Sequence, residues 1–496
     1  MRQINEDRRR ARGSLLKRLE EFAAARRELI RQLEDLYVRE TAAQREYNIL
    51  HNADAPTSDL PDEIIMMIFE EGMRQGHQSH HLGIIASHVS HRLRKVALAN
   101  PRLWTSIRLT VGGDSYVPDH MRERCATFLS RAMSSHLNIY IRQWPTQNAP
   151  HDLESTSKAS ALLQLIDGHM GHCRHLGIAT SHEVGVVRVL ECISSQEMPV
   201  LTSIELHSGT SAIAFQAPLF ASGAQACLRT AQLHGLEPRS MHHCLPAFRS
   251  VTSLGLTAIF ITSPDLYHAL RSAIMALPLL IHCEIGLRYF DPPLPCLPIA
   301  MPTLQFLRLD VGRGNQLGLI MRSIQVPSLT TLSLGVRRGQ EELGPPNEFL
   351  EHFPPVQHLI LMNAMPYFSY YEQFACRFPG IERLTHLVTS EYVHHNSDHV
   401  LADILRGADG GLRWHNLRTL AVSTTDKDSD ASWQGTILKS QHAGHPIRKL
   451  MLPQAVIQNA AGALMELRET MDIEAFHVDW PTPFVHMDNR DRLRDI

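Results

Sequence analysis

Aromatic residues make up only 6% of the 496 positions, and the charges nearly cancel to a formal net of -3. So few rings argue against a platform that stacks nucleobases. The near-neutral balance also removes the electrostatic footprint of a phosphate-backbone binder. No stretch of about 18 apolar residues occurs, and the opening Met1 to Glu6 runs into charge rather than into an apolar signal core. The eight cysteines, at 125, 173, 192, 227, 244, 283, 296 and 376, include no C-x-x-C pair. They read as buried thiols of a reducing compartment, so a cytoplasmic or nuclear location is expected.

Catalytic signatures are also missing. There is no G-x-S-x-G elbow, no P-loop and no G-x-G-x-x-G after a strand. Glu341 and Glu342 lie in a polar Gly-Pro-rich loop, where a raised pKa for acid-base work is not expected. Thirty histidines are present. Their densest groups are His169, His172, Cys173 and His175, and then His394, His395 and His399. Neither offers a second ligand group at a spacing known for zinc. No enzyme, cofactor or metal is therefore expected.

What is there begins with a long helix. From Arg12 to Leu50, positions advance alternately by three and four, and Leu15, Phe22, Leu29, Leu36, Ala43 and Leu50 fill every d position. Leu19, Leu33 and Tyr47 alternate at a with Arg12, Arg26 and Glu40. Charges at a weaken a two-stranded coil, which argues against a tight homodimer. The open readings are a coiled coil over 12–50, with a partner or a second copy, and a solvated helix folded back on the next domain. The first thirty-one residues hold ten Lys or Arg against five Asp or Glu. Arg8, Arg9, Arg10 and Arg12 read as a solvated face, with an import signal as the alternative.

After a loop at 52–59, Asp59, Pro61, Asp62 and Glu63 form a helix-start signal. Ile64, Ile65, Ile68 and Phe69 follow at helical spacing. A second helix is expected from about Leu82 through Ile85, Val89, Leu93 and Val96, ending at Asn100-Pro101. So small a helical unit buries little surface by itself and calls for a partner.

Three stretches, Leu60 to Phe69, Val89 to Ala97 and Asn100 to Ile107, resemble an F-box of the kind common in mushroom-forming fungi, where a heptad helix often comes before it. The resemblance implies docking on the Skp-type adaptor of a cullin-RING ubiquitin ligase. By motif position, the contact or supporting residues are Leu60, Pro61, Ile64, Ile65, Ile68, Phe69, Val89, Leu93 and Trp104. Ser90 and Leu93 stand where the family usually has Cys and Trp.

Farther on, an apolar residue recurs with a second three positions later and a third two after that, as in Leu201-Thr-Ser-Ile204-Glu-Leu206 and Leu329-Thr-Thr-Leu332-Ser-Leu334. The middle residues fall at 204, 231, 254, 283, 307, 332, 359, 384, 420 and 450. That is the period of leucine-rich repeats, loosened by insertions. Leu137 to Ile141 and Cys173 to Ile178 read as earlier, irregular strands. Pro199, Pro246, Pro278, Pro302, Pro327, Pro354 and Pro379 fit loops entering strands, and 347–352 and 399–406 have helical spacing. The chain is thus similar to F-box proteins with leucine-rich repeats.

The expected fold is α/β: a heptad helix over 1–52, a small all-α F-box over 53–109, and a leucine-rich-repeat-like solenoid over 110–496 with a parallel sheet on its concave side. The expected function is that of a substrate-recognition adaptor of a Skp-cullin-type ubiquitin ligase. Arg308, Asp310, Arg313, Arg337, Arg338 and Glu341 are its candidate contacts to a protein substrate. The alternative is an interaction scaffold with a degenerate F-box that recruits no ligase. Neither reading involves nucleic acid or membrane.

Overall fold

The computed structural model describes residues 2–53, 57, 59–75, 82–111, 119–143, 153–180, 183–193, 197–209, 212–220, 227–293, 295–312, 316–336, 352–353, 356–362, 368–387, 413–423, 437–438, 447–459 and 464–484. The chain divides into two compact units, Met1–Asn100 and Pro101–Ile496. The boundary falls inside the 53–109 span expected for one domain.

The regular elements among the described residues of the first unit are all helices. Helix α1 (Arg2–Ala53) is followed by α2 (Asp62–Gln75), α3 (Leu82–Val89) and α4 (His91–Ala99). α2 starts where the sequence signals it: Pro61 accepts the amides of Ile64 and Ile65 at 3.1 and 3.2 Å, and Asp62 and Glu63 face the positive end of the helix. The helix expected to run unbroken from Leu82 to Asn100 is two helices. Ser90, in extended backbone, caps α4 by accepting the Leu93 amide at 3.2 Å, so apolar spacing continues across a break that the serine makes.

The second unit is built on a fourteen-stranded sheet whose strand order equals chain order. We number them β1 (Ser106–Val111), β2 (Leu137–Gln143), β3 (Cys173–Thr180), β4 (Ser203–Ser208), β5 (Thr230–His234), β6 (Ser253–Ile261), β7 (His282–Phe290), β8 (Phe306–Val311), β9 (Thr331–Val336), β10 (His358–Met362), β11 (Arg383–Leu387), β12 (Thr419–Val422), β13 (Lys449–Leu452) and β14 (Asp472–Ala475). Every neighbouring pair is parallel, and β1 and β14 end the sheet, so no barrel closes.

The register explains the periodicity. Ile107, Ile139, Leu176, Ile204, Ala231, Leu254, Cys283, Leu307, Leu332, Leu359, Leu384, Leu420 and Leu450 follow one another as direct partners across the sheet. All are buried, so the second apolar position of each repeat is one continuous core row. Each leucine or isoleucine of the row contributes ~1.5–3 kcal/mol by leaving water. Helices such as Glu183–Ile193 and Pro264–Met275 connect the strands and pack on that face.

Two expectations need correction. Pro246 does not open a strand: it lies inside the helix Met241–Phe248, five residues ahead of Val251. The thiols are not all buried either. Among the eight free cysteines, Cys125, Cys173, Cys244 and Cys283 are buried, whereas Cys192, Cys227 and Cys376 are exposed and Cys296 is intermediate. Burial pushes Cys125 up to about 11 and Cys244 up to about 12, which keeps both thiols protonated and inert. Of the helical stretch expected at 347–352, residues 347–351 lie outside the described residues, as do the stretch expected at 399–406 and Pro354.

Candidate functional site

The first candidate surface is the apolar face of α2 and α3. Ile65, Ala86, Val96 and Ala97 are buried and make up the small interior of the unit. Other apolar side chains of α2 and α3 are bare: Ile64 is 40% exposed, Met67 64%, Ile68 54%, Ile85 55% and Val89 64%. Pro61 is also exposed, while Leu60, Phe69 and Leu93 are half-buried. Arg92 of α4 fixes the turn ahead of α2. Its Nε donates to Asp62 at 2.9 Å, and its guanidinium also bonds the Leu60 carbonyl and pairs with Asp62 at 2.8 Å. At the other end, Asn100 donates to Glu70 at 3.2 Å. The sequence signals that picked out the helices held no hint of this staple.

Trp104 sits elsewhere. It belongs to the second unit, is 0% exposed, and packs edge-on against Phe128 at 5.1 Å under the Arg131 guanidinium at 4.4 Å. Its role here is to close the β1 end of the sheet, and no partner can reach it.

The second candidate surface is the sheet face opposite the core row. Its central row runs Arg108, Tyr140, Gly177, Glu205, Gln232, Gly255, Glu284, Arg308 and Ser333. Arg108 lies over the Tyr140 ring, His207 stacks on His234 at 4.0 Å, and Glu284 bridges His282 at 3.1 Å and Arg308 at 3.3 Å. Burial pushes His175 down to about 4. Of the six candidate substrate contacts, Arg308 and Asp310 are on this face, both half-buried. Arg313, Arg337, Arg338 and Glu341 lie outside the described residues.

No protein-family model matches the chain, and no curated protein does.

The residues that sequence reasoning missed follow β14. The segment Phe476–Phe484 runs back across the sheet face opposite the core row, on which Glu205, Gln232 and Ser333 of the central row are buried. Phe476 donates its amide to Leu452 at 2.7 Å. Asp479 takes both terminal nitrogens of Arg383 on β11, at 2.7 and 2.5 Å. Trp480 meets His358 of β10 edge-on at 6.0 Å, and Phe484 meets His282 of β7 edge-on at 5.5 Å. A signal existed in the run Asp479-Trp480-Pro481-Thr482-Pro483-Phe484, which has neither strand nor helix spacing.

His169, His172, Cys173 and His175 do not converge. Cys173 is buried with its thiol directed to the His175 carbonyl, and His172 is exposed. Among the described residues no group of three or more His, Cys, Asp or Glu is placed to hold a metal ion. No described helix is long and apolar enough to cross a membrane.

Proposed function

We infer that the chain is an F-box adaptor of a Skp-cullin-type ubiquitin ligase. It docks through α2 and α3 and presents a protein substrate on the sheet face opposite the core row of a leucine-rich-repeat-like solenoid. The observation carrying this reading is the run of bare apolar side chains Ile64, Met67, Ile68, Ile85 and Val89, beside a Leu60-Pro61 turn that Arg92 holds in place. Several large apolar side chains left exposed on two neighbouring helices argue for a protein partner. The strand order, with one strand and a connecting segment per repeat, supports the solenoid. The chain itself would do no chemistry. It would raise the effective concentration of substrate near an activated ubiquitin carrier.

The test is capture by the purified Skp-type adaptor. The double variant Ile68→Ser, Val89→Ser removes exposed surface without opening the interior. It is expected to weaken capture by about a hundredfold, roughly 2.7 kcal/mol. Equal capture of wild type and variant would leave only the scaffold reading.

A further inference from the structure

We propose that the sheet face opposite the core row is a groove for an extended peptide carrying one carboxylate and two aromatic side chains, and that Phe476–Phe484 is its built-in occupant. This rests on the reading of that face as the substrate surface.

Three slots define the ligand. The first is Arg383, whose two terminal nitrogens grip the Asp479 carboxylate in the fork geometry that suits a carboxylate best. The second is the His358 ring, fixed by its bond to Thr385 at 2.9 Å, with Trp480 against it. The third is a gap at Gly255. A Cβ there would lie 3.4 Å from the Phe484 ring and 3.3 Å from Gln232, so glycine leaves room for the ring that rests on it. His282, stacked on Phe306 at 4.1 Å, forms the side of that slot, and Phe484 is 6% exposed.

Five residues carry the chain from Arg383 on β11 to Gly255 on β6. The five strand spacings amount to roughly 24 Å at about 4.8 Å each, more than the ~18 Å that five fully extended residues span, so the segment is extended and the side chains of Arg383 and Phe484 make up the rest. Pro481 and Pro483 favour that extended form and donate no backbone hydrogen bond. Recognition therefore lies in side chains, and a substrate segment with the same spacing of acid and rings would compete for the three slots.

The full chain carrying Asp479→Ala, Trp480→Ala and Phe484→Ala empties the groove without touching its walls. The probe is a fluorescent synthetic peptide with the sequence of residues 476–484, beside a scrambled control, and thermal melting is followed in parallel. The released variant is expected to bind the probe at least about tenfold more tightly than wild type. Adding Arg383→Ala should abolish the gain. The proposal is overturned if the released variant binds no better than wild type or binds the scrambled peptide equally. It is also overturned if release alone collapses the cooperative melt, which would make the segment part of the sheet's structure. Adaptor capture on the same samples reports the ligase reading separately.

A second inference stands on α1 alone. Every described side chain from Arg8 to Asn52 except Thr41 is exposed, including Leu15, Phe22, Leu29, Leu33 and Leu36 at 58–70%. The helix does not fold back on α2, α3 or α4, and the charge pattern points to a second copy of this chain packed antiparallel to it. In a parallel pair, Arg12, Arg26 and Glu40 would each face their own kind. In an antiparallel pair, a positions face d positions. The register that sets Arg12 opposite Leu50 also sets Leu15 opposite Tyr47, Leu19 opposite Ala43, Phe22 opposite Glu40, Arg26 opposite Leu36 and Leu29 opposite Leu33.

That register places Arg18 beside Glu46 of the other copy at flanking g positions, and Arg26 diagonal to its Glu40, each twice by symmetry. Sliding by one heptad brings Arg18 against Arg39, or carries Leu15 past the helix end at Ala53. Sedimentation equilibrium of the full chain should give a two-chain mass. Arg18→Glu or Glu46→Arg alone should weaken association about tenfold, and the two together should restore it. A one-chain mass, or no rescue by the double variant, overturns the antiparallel pair.

Discussion

Trp104 shows how one side chain can be right in type and different in role. Its place in the motif made it a candidate for adaptor contact, yet it lies fully buried between Phe128 and Arg131 in the second unit. Sequence marks a large apolar ring but not which side of a unit boundary it packs on. Trp104→Ala should therefore destabilise the sheet unit by ~3–5 kcal/mol, read as a lower denaturant midpoint. Capture by the adaptor should stay at the wild-type level under conditions where the variant is folded.

At the scale of elements, α2 and α4 are joined by polar bonds as well as by buried apolar side chains. Arg92 reaches the Leu60 carbonyl and Asp62 from thirty or so positions away in sequence. Its pair with Asp62 is partly solvent-exposed, so Arg92→Ala should cost only ~1 kcal/mol of stability. The larger effect expected is faster amide exchange over Leu60–Ile65, because the turn loses its anchor. Unchanged exchange there would mean that Pro61 and the α2 cap hold the turn unaided. The strands were legible because each repeat places its apolar residues two and three apart. The break at Ser90 was hidden because the spacing of Val89, Leu93 and Val96 suits one helix or two.

Across the whole second unit, buried titratable groups set a pH response. Burial, with Arg383 beside it, pushes His358 down to about 3, and burial pushes His175 down to about 4. Unfolded histidine takes up a proton near about 6.5, so folding resists protonation below that value. Their contribution to stability is present in full above about pH 6.5 and is lost as pH falls toward 4, at up to ~1.4 kcal/mol per pH unit for each ring. Asp479 acts in the same direction lower down. Burial alone would raise its pKa, but the Arg383 guanidinium outweighs that and holds it below the usual carboxylate range, so its share is lost only as the pH falls below about 4. Melting temperatures between pH 7 and 4 should fall steadily and fall less in His358→Gln. A flat profile would mean that neither ring resists protonation.

The sequence by itself determined the long helix, the start of α2 and the core row of the sheet, because each is a local repeat of apolar side chains at the period of its own backbone. It also located the apolar turn at Leu60-Pro61. Only the tertiary structure decided that Ile65 goes inside while Ile64, Ile68 and Val89 stay outside, since neighbouring helices cover one side of α2 and leave the other bare. Only the tertiary structure brought Asp479 to Arg383 and Phe484 to Gly255. Those partners are 96 and 229 positions apart, and no periodicity spans such distances.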